Sequence, residues 1–197
     1  MIAYQKEKIE NAICFFALMH KKKTRHYLYQ TFLYKYLAFF EYNMLEKNGH
    51  ISLGLTFKAF QKGPVPIDIY DNRANLNNEL FKFEEIDKNK YQIIAKKKPN
   101  LDYFSKEEIE EMNILIEIYA KSYIPSKQIS EASHEKIKAW KKTYAKAPNT
   151  VMDSSLTFDE NLFNKNDNEL SLAEENYILY NAISNKLNEN RDSHKME

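Results

Sequence analysis

The chain has 197 residues and a mass of 23.4 kDa, which suits one domain of ordinary size or one domain with an appendage. Its 29 basic and 28 acidic residues give a net charge of +1, which excludes a strongly basic nucleic-acid-binding protein and a chain dominated by an acidic tail. Hydrophobic residues make up 43% of the chain, enough for a sizeable core, and only 3 glycines and 5 prolines are present, too few for an all-β fold rich in tight turns. We therefore expect a mostly helical globular protein.

The first predicted element is an amphipathic helix over residues 4–20, where apolar residues recur at helical spacing. It contains the apolar run 12–19 with the single cysteine, Cys14, which we expect to pack as a small hydrophobe. The run is far shorter than the roughly 20 apolar residues of a membrane span. Lysines rather than a cleavage site follow it, so it is not a secretion signal. With no second cysteine for a disulfide, we expect a cytoplasmic protein.

A second helix is predicted from Thr24, as its N-cap, to about Lys47. Its apolar residues lie almost all round the helix, which indicates a central and mostly buried position. Gly49 stands where a residue with positive φ commonly ends a helix.

The apolar period then changes from that of a helix to that of a strand. Residues 51–59 alternate between apolar and other residues, which predicts a strand that the segment 63–66, Gly-Pro-Val-Pro, stops. Gly63 can adopt positive φ and the two prolines have fixed φ, so this segment predicts a rigid corner between the strand and a short helix at 68–73. Residues 81–95 read as a β-hairpin around a polar turn at 87–90.

The second half of the chain is predicted to be helical. Ser105-x-x-Glu108 is a capping box that opens a long helix, and two shorter helices are expected at 128–132 and 135–144. Residues 147–149 are expected to end the compact region, and a second capping box, Ser171-x-x-Glu174, opens a helix that runs to about residue 188. The predicted fold is mainly α with a small β element (α+β), a compact helical bundle with a short antiparallel hairpin or small sheet.

Four motifs, taken in order, resemble a known family. They are Lys35-Tyr36-Leu37-Ala38-Phe39-Phe40, the segment 55–66 that ends in Gly63-Pro64-Val65-Pro66, the segment 129–135 that contains His134, and Trp140-Lys141-Lys142. Together they resemble the Panacea antitoxin domain, a SocA-like, phage-associated family, over about residues 5–150. Phe57 stands where the family often has tyrosine, so its hydroxyl is missing. The resemblance implies a Panacea-like domain at 1–150, with residues 151–197 as an extension with one helix, packed on that domain or appended to it.

The resemblance implies an antitoxin that neutralises a cognate toxin by direct protein–protein binding, with neither enzymatic activity nor a cofactor. It also implies an alternative, an adaptor that delivers a bound toxin to an ATP-dependent protease. Relatives often carry a DNA-binding helix-turn-helix, for which the sequence has no spare length, so we do not expect transcriptional autoregulation. The candidate motif or partner-contact residues are Lys35, Phe57, Gly63, Pro64, Val65, Pro66, His134 and Trp140.

Each candidate also has a structural interpretation. The Gly-Pro-Val-Pro corner either only shapes the fold or presents a surface to the toxin. His134 is expected to be structural, because His20, His26, His50 and His194 are scattered without the spacing of metal ligands. Trp140, the one tryptophan, is either a buried anchor or a binding hot spot.

A third function, a small protein acting on nucleic acid, is suggested by three lysine clusters among many tyrosines, at 21–23, 96–98 and 141–142. The net charge of +1 favours the interpretation of these clusters as solvated surface or as contacts to an acidic partner protein. The sequence has neither a glycine-rich phosphate loop nor a Ser-His-Asp or Cys-His signature.

Overall fold

Seven α-helices and five short β-strands make up the part of the chain that the computed structural model describes, residues 2–121, 124–159 and 161–193. The helices are α1 (Gln5–Thr24), α2 (Gln30–Asn48), α3 (Ile67–Asn72), α4 (Lys106–Tyr119), α5 (Ser126–Lys136), α6 (Lys138–Lys146) and α7 (Leu172–Ser193). The strands are β1 (Leu28–Tyr29), β2 (Phe57–Phe60), β3 (Gly63–Pro66), β4 (Phe81–Asp87) and β5 (Lys90–Ala95). The predicted mainly α fold with small antiparallel β elements is confirmed.

Helix α2 lies at the centre of the core, as its all-round apolar sequence predicted, with α1, α4, α5 and α7 packed against it. Aromatic rings fill the contacts: Tyr36 stacks on Phe16 of α1 and Phe39 stacks on Tyr119 of α4, each pair with ring centroids 4.9 Å apart. Gly49 ends the helix with φ of 76°, and its N–H donates to the carbonyl of Leu45 at 2.8 Å, as predicted.

The connection between α1 and α2 differs from the prediction. Helix α1 continues through the lysines at 21–23 to Thr24, because these lysines are exposed and basic residues in a last turn interact favourably with the helix dipole. The Thr24 hydroxyl donates to the carbonyl of His20 at 2.8 Å, so it closes α1 and is not the N-cap of α2. Between the helices, β1 pairs with β5 in a sheet of order β1-β5-β4. Its β4–β5 hairpin is the one predicted at residues 81–95.

The predicted strand at 51–59 is shorter than expected, because β2 begins only at Phe57. The preceding loop instead wraps around the carboxylate of Glu41 in α2. That carboxylate accepts hydrogen bonds from the N–H groups of Leu53, Gly54 and Leu55 at 2.7, 2.7 and 3.2 Å. These N–H groups therefore bond to a buried side chain instead of a neighbouring strand.

The compact region does not end at residues 147–149, as the sequence predicted. The segment 149–152 runs beside β2, where Ala59 N–H donates to Thr150 O at 2.9 Å and Met152 N–H donates to Phe57 O at 2.8 Å. Three short 3₁₀ turns follow, with Phe158 and Leu162 buried. The segment was predicted to leave the core because its side chains are polar. It stays on the core because its backbone forms hydrogen bonds with β2.

Helix α7 begins at the predicted capping box, in which Glu174 accepts from Ser171 N–H at 2.9 Å. It packs on α2: the Asn176 side chain donates to the carbonyl of Asn48 at 3.1 Å, and Tyr177 is buried. The described part of the extension therefore lies against the core, while the domain boundary at residue 150 stays a prediction. None of the helices within the described ranges is both long and apolar enough to cross a bilayer.

Candidate functional site

The segment Gly63–Pro66 forms a strand of its own, which corrects the prediction that it stops one. Strand β3 pairs antiparallel with β2, with Phe57 opposite Pro66 and Phe60 opposite Gly63. Proline fits here because its fixed φ is close to that of extended backbone, and its missing N–H is tolerated at the edge of a two-stranded sheet. The segment still leads into a short helix, α3, as expected. We call the segment 63–66, with the side chains packed on it, the corner.

Gly63 is in close contact with both α2 and α5. Its φ is 96°, and a Cβ built on it would lie 2.5 Å from Ser133 Oγ of α5 and 2.8 Å from Lys35 Cε of α2. Both contacts are too short for a side chain, so only glycine fits this conformation without displacing its neighbours.

Lys35 is a buried lysine, with 1% of its surface exposed, on a helix that is otherwise mostly apolar. Its Nζ donates a hydrogen bond to the carbonyl of Pro64 at 2.9 Å, which ties α2 to the corner. Among the described residues it forms no ion pair. Burial without a counter-charge disfavours the ammonium form and lowers the pKa of Lys35 to about 7.

His134 and Trp140 attach α5 and α6 to the same hairpin. The two rings are stacked, with centroids 3.9 Å apart and an interplanar angle of 7°. Trp140 Nε1 donates to the carbonyl of Phe60 at 3.1 Å, at the end of β2. Burial, and then the positive charge of Lys35, hold the pKa of His134 below its usual range. The imidazole is therefore a neutral ring that packs against the indole.

Phe57 lies further along β2, away from these contacts, and is 2% exposed. Its ring packs edge-on against Tyr42 of α2, with centroids 5.7 Å apart. The site where the family often has tyrosine is therefore inside the core in this chain, where an apolar ring fits without a hydrogen-bond partner.

The structure thus brings the predicted residues together around the corner, with Phe57 to one side. All are buried except His134, which is half-buried. Their side chains make contacts within the fold, which favours the interpretation that the corner shapes the molecule. Contact of these residues with a partner stays a prediction.

Sequence reasoning missed two residues of this region, Glu41 and Ser133. Both are polar residues that are buried, with 3% and 0% of their surface exposed. A signal for Glu41 was present, because a glutamate on an otherwise apolar helix must find hydrogen-bond donors when it is buried. Ser133 gave no such signal, and its hydroxyl donates to the carbonyl of Ser130 at 2.6 Å within α5.

Each lysine cluster has a member that is bound to another part of the chain. Lys23 pairs with Glu117, Lys97 pairs with Glu79 at 2.7 Å, and Lys142 donates to the carbonyl of Phe158 at 2.8 Å. Of the scattered histidines, His20 and His26 line one pocket, whereas His194 lies outside the described residues.

Replacing Lys35 with methionine is expected to remove a pH dependence of stability between about pH 7 and pH 10. Because the folded pKa of about 7 lies below the usual lysine pKa of 10.5, the unfolded chain binds more protons in this window. Lys35 therefore contributes a rise of about 3 kcal/mol to the wild-type free energy of unfolding across this window. Methionine fills a similar volume without a charge, so this rise should be absent from the difference between the variant and wild type. Urea unfolding at pH 7, 8, 9 and 10 measures this difference.

The control is Lys47→Met, because Lys47 is exposed on the same helix. Its stability should follow the wild-type curve. Parallel curves for wild type and Lys35→Met would contradict the assignment of the pH dependence to Lys35.

Comparison with known families places the corner within a named domain. The sequence model described as "Antitoxin SocA-like, Panacea domain" matches residues 33–141, from α2 into α6. This range contains all eight candidate residues as well as Glu41 and Ser133. Searches of curated proteins and of solved structures found no match. Because the family match covers more than half of the 197 residues, we conclude that the chain belongs to the SocA-like Panacea domain antitoxin family.

Proposed function

We propose that this protein is the antitoxin of a toxin–antitoxin system and that it neutralises a cognate toxin by direct protein–protein binding in the cytoplasm. The observation that carries the proposal is the match to the antitoxin family over residues 33–141, because this range covers the corner and all the side chains that build it.

The mechanism we propose is binding without chemistry. Lys35 and Trp140 direct their polar atoms at backbone carbonyls of the β2–β3 hairpin, so these groups hold the hairpin in place. The protein then presents a partner with a surface of fixed shape. Because this surface is already ordered, less conformational entropy is lost on binding. A specific interface with a toxin would bury about 1,600 Å² in total.

Coexpression with the product of the adjacent gene tests the proposal. We expect this product alone to arrest growth, and coexpression of the antitoxin to restore growth through a complex that co-purifies. A neighbour that is harmless alone, or that stays toxic although both proteins accumulate, would contradict the proposal.

A protease adaptor is the second candidate, and an apolar stripe on α7 favours it. Leu172, Leu179 and Ile183 are 73%, 60% and 52% exposed and lie at helical spacing, whereas Tyr177 of the same helix faces the core. If the protein is an adaptor, the stripe would contact the protease while another surface binds the toxin. Changing the three stripe residues to serine should leave toxin binding intact and stop toxin degradation; unchanged degradation would exclude the stripe.

A further inference from the structure

A groove with an aromatic floor lies where β1 meets the start of α2. It consists of two adjoining pockets of ≈ 290 and ≈ 730 Å³, which share Tyr29, Phe32 and Ile124 as lining residues. Tyr27 lines the first pocket and Tyr91 the second. Tyr29 is 50% exposed although it lies in a strand, so its ring is available to a partner. We call this surface the aromatic groove.

The floor of the groove carries no charge at neutral pH. His20, at the base of the first pocket, is 7% exposed, and its Nδ1 lies 3.0 Å from Tyr36 Oη. Burial, and then the nearby His26, lower the pKa of His20 to about 4. Because the imidazole stays neutral and bonded to a tyrosine, the floor suits an apolar or aromatic group.

The rim of the groove, in contrast, is positive. Lys121 lines the first pocket and Lys62 the second, and neither takes part in an ion pair within the described residues. Lys21 Nζ lies 3.7 Å from the centre of the Tyr27 ring. Asp87, the one carboxylate among the residues that line the two pockets, is paired with Lys90 at 2.6 Å. Lys62 and Lys121 are therefore exposed and have no counter-charge among the residues that the structure describes.

We propose that the aromatic groove binds an acidic segment of the toxin, with an apolar or aromatic side chain against Tyr29 and Phe32 and carboxylates of the same segment near Lys62 and Lys121. The inference rests on the proposed antitoxin function and adds the surface through which it acts. A neutral floor beneath unpaired lysines matches an apolar group flanked by negative charges. Large aromatic residues are the usual anchors of such interfaces.

A nucleic acid would also be attracted by these lysines, but the chain fits that partner less well. Backbone binding draws on many basic residues that act together, whereas the net charge here is +1 and the lysine clusters are partly paired with carboxylates. An acidic protein segment needs only the few charges that the rim supplies.

The test is binding of the purified product of the adjacent gene to two groove variants, measured by surface plasmon resonance. Tyr29→Thr removes the ring and places in β1 a β-branched residue, which strands favour. The double variant Lys62→Glu with Lys121→Glu changes the charge of the rim from positive to negative. We expect Tyr29→Thr to raise Kd by about 10-fold or more. The double variant should lower the association rate by about 10-fold at low ionic strength, with a smaller effect at high salt.

Matched controls lie on other surfaces. Ile118→Thr removes an apolar side chain that is 46% exposed on α4, and Lys106→Glu with Lys146→Glu makes the same change in net charge at exposed sites. Both controls should bind within about 2-fold of wild type. Thermal melts of all four variants establish that they are folded.

The outcomes separate the groove from the antitoxin function. If wild type binds the toxin and the groove variants bind like the controls, the groove is the wrong surface and the antitoxin function stands. If wild type does not bind the toxin, the antitoxin function fails and the groove proposal fails with it. A fluorescein-labelled single-stranded RNA is the parallel probe. Binding of this RNA by wild type, lost in the groove variants while toxin binding is kept, would overturn the proposal in favour of a nucleic-acid site.

Discussion

The Glu41→Ala variant is expected to lose about 4 kcal/mol of its free energy of unfolding, a large part of the stability of an ordinary domain. The Glu41 carboxylate, 3% exposed, accepts hydrogen bonds from three consecutive N–H groups, those of Leu53, Gly54 and Leu55. Alanine would leave these donors without a partner inside the protein, and an unsatisfied buried donor costs about 1–3 kcal/mol. Urea unfolding followed by circular dichroism measures the loss.

Two further variants make this prediction specific. Glu41→Gln keeps one acceptor oxygen but places an NH₂ group against a donor, so we expect an intermediate loss of about 2 kcal/mol. Glu46→Ala is the control on the same helix, where a half-exposed carboxylate pairs with Lys138 at 2.6 Å. A surface ion pair contributes less than about 1 kcal/mol. The prediction fails if Glu41→Ala and Glu46→Ala are equally stable.

The Gly63→Ala variant is the second change from which we expect a large loss, about 3 kcal/mol. With φ of 96°, Gly63 has a backbone conformation that is strained for alanine. The new methyl group would also meet Ser133 Oγ at 2.5 Å and Lys35 Cε at 2.8 Å. Relieving the clash would move α5 or the buried lysine away from β3, so the Lys35 to Pro64 hydrogen bond should be weakened as well.

Two comparisons separate the backbone strain from the clash. Adding Ser133→Ala to Gly63→Ala removes the nearest atom, and about 1 kcal/mol should be recovered while the strain in φ remains. Gly54→Ala is the matched control: its φ is 68°, but the new Cβ would meet the ends of Gln5 and Ile2, which are half-buried and have more room to move than the buried Ser133 and Lys35. We expect it to cost less than Gly63→Ala. Equal losses at the two glycines would show that packing at the corner contributes nothing.

Elements with a local signal could be predicted from the sequence. The end of α2 at Gly49, the hairpin at 81–95 and the capping boxes at Ser105 and Ser171 were predicted at the correct places. In each case the signal is carried by a few adjacent residues whose backbone preference is strong.

Elements decided by distant contacts could not be predicted in the same way. The strand predicted from residue 51 begins only at Phe57, because Glu41 takes the N–H groups of the loop before it. The segment 149–152 looked like a loop in the sequence but forms backbone hydrogen bonds with β2. In both cases the residues of the segment do not indicate which distant part of the chain it will contact. Tertiary contacts therefore overrode the local pattern.

For the candidate site too, the sequence indicated individual residues but not the contacts between distant ones. The family resemblance selected Lys35, His134 and Trp140, but no spacing in the sequence shows that they meet at one hairpin. That meeting depends on α2, α5 and α6 approaching β2 and β3. The aromatic groove is likewise lined by residues of α1, β1, α2, the turn before β3 and the β4–β5 hairpin, together with Lys121, Ile124 and Pro125, and the sequence did not mark this set as neighbours.

The position of Trp140 gives this protein an optical reporter that needs no label. Because Trp140 is the one tryptophan in the chain, all indole fluorescence comes from a single ring, held between His134 and Tyr144 with its N–H bonded to Phe60. Any movement of α6 away from the β2–β3 hairpin admits water to this ring and shifts its emission to longer wavelength. The emission spectrum therefore follows the hairpin itself, separately from the helical content that circular dichroism follows.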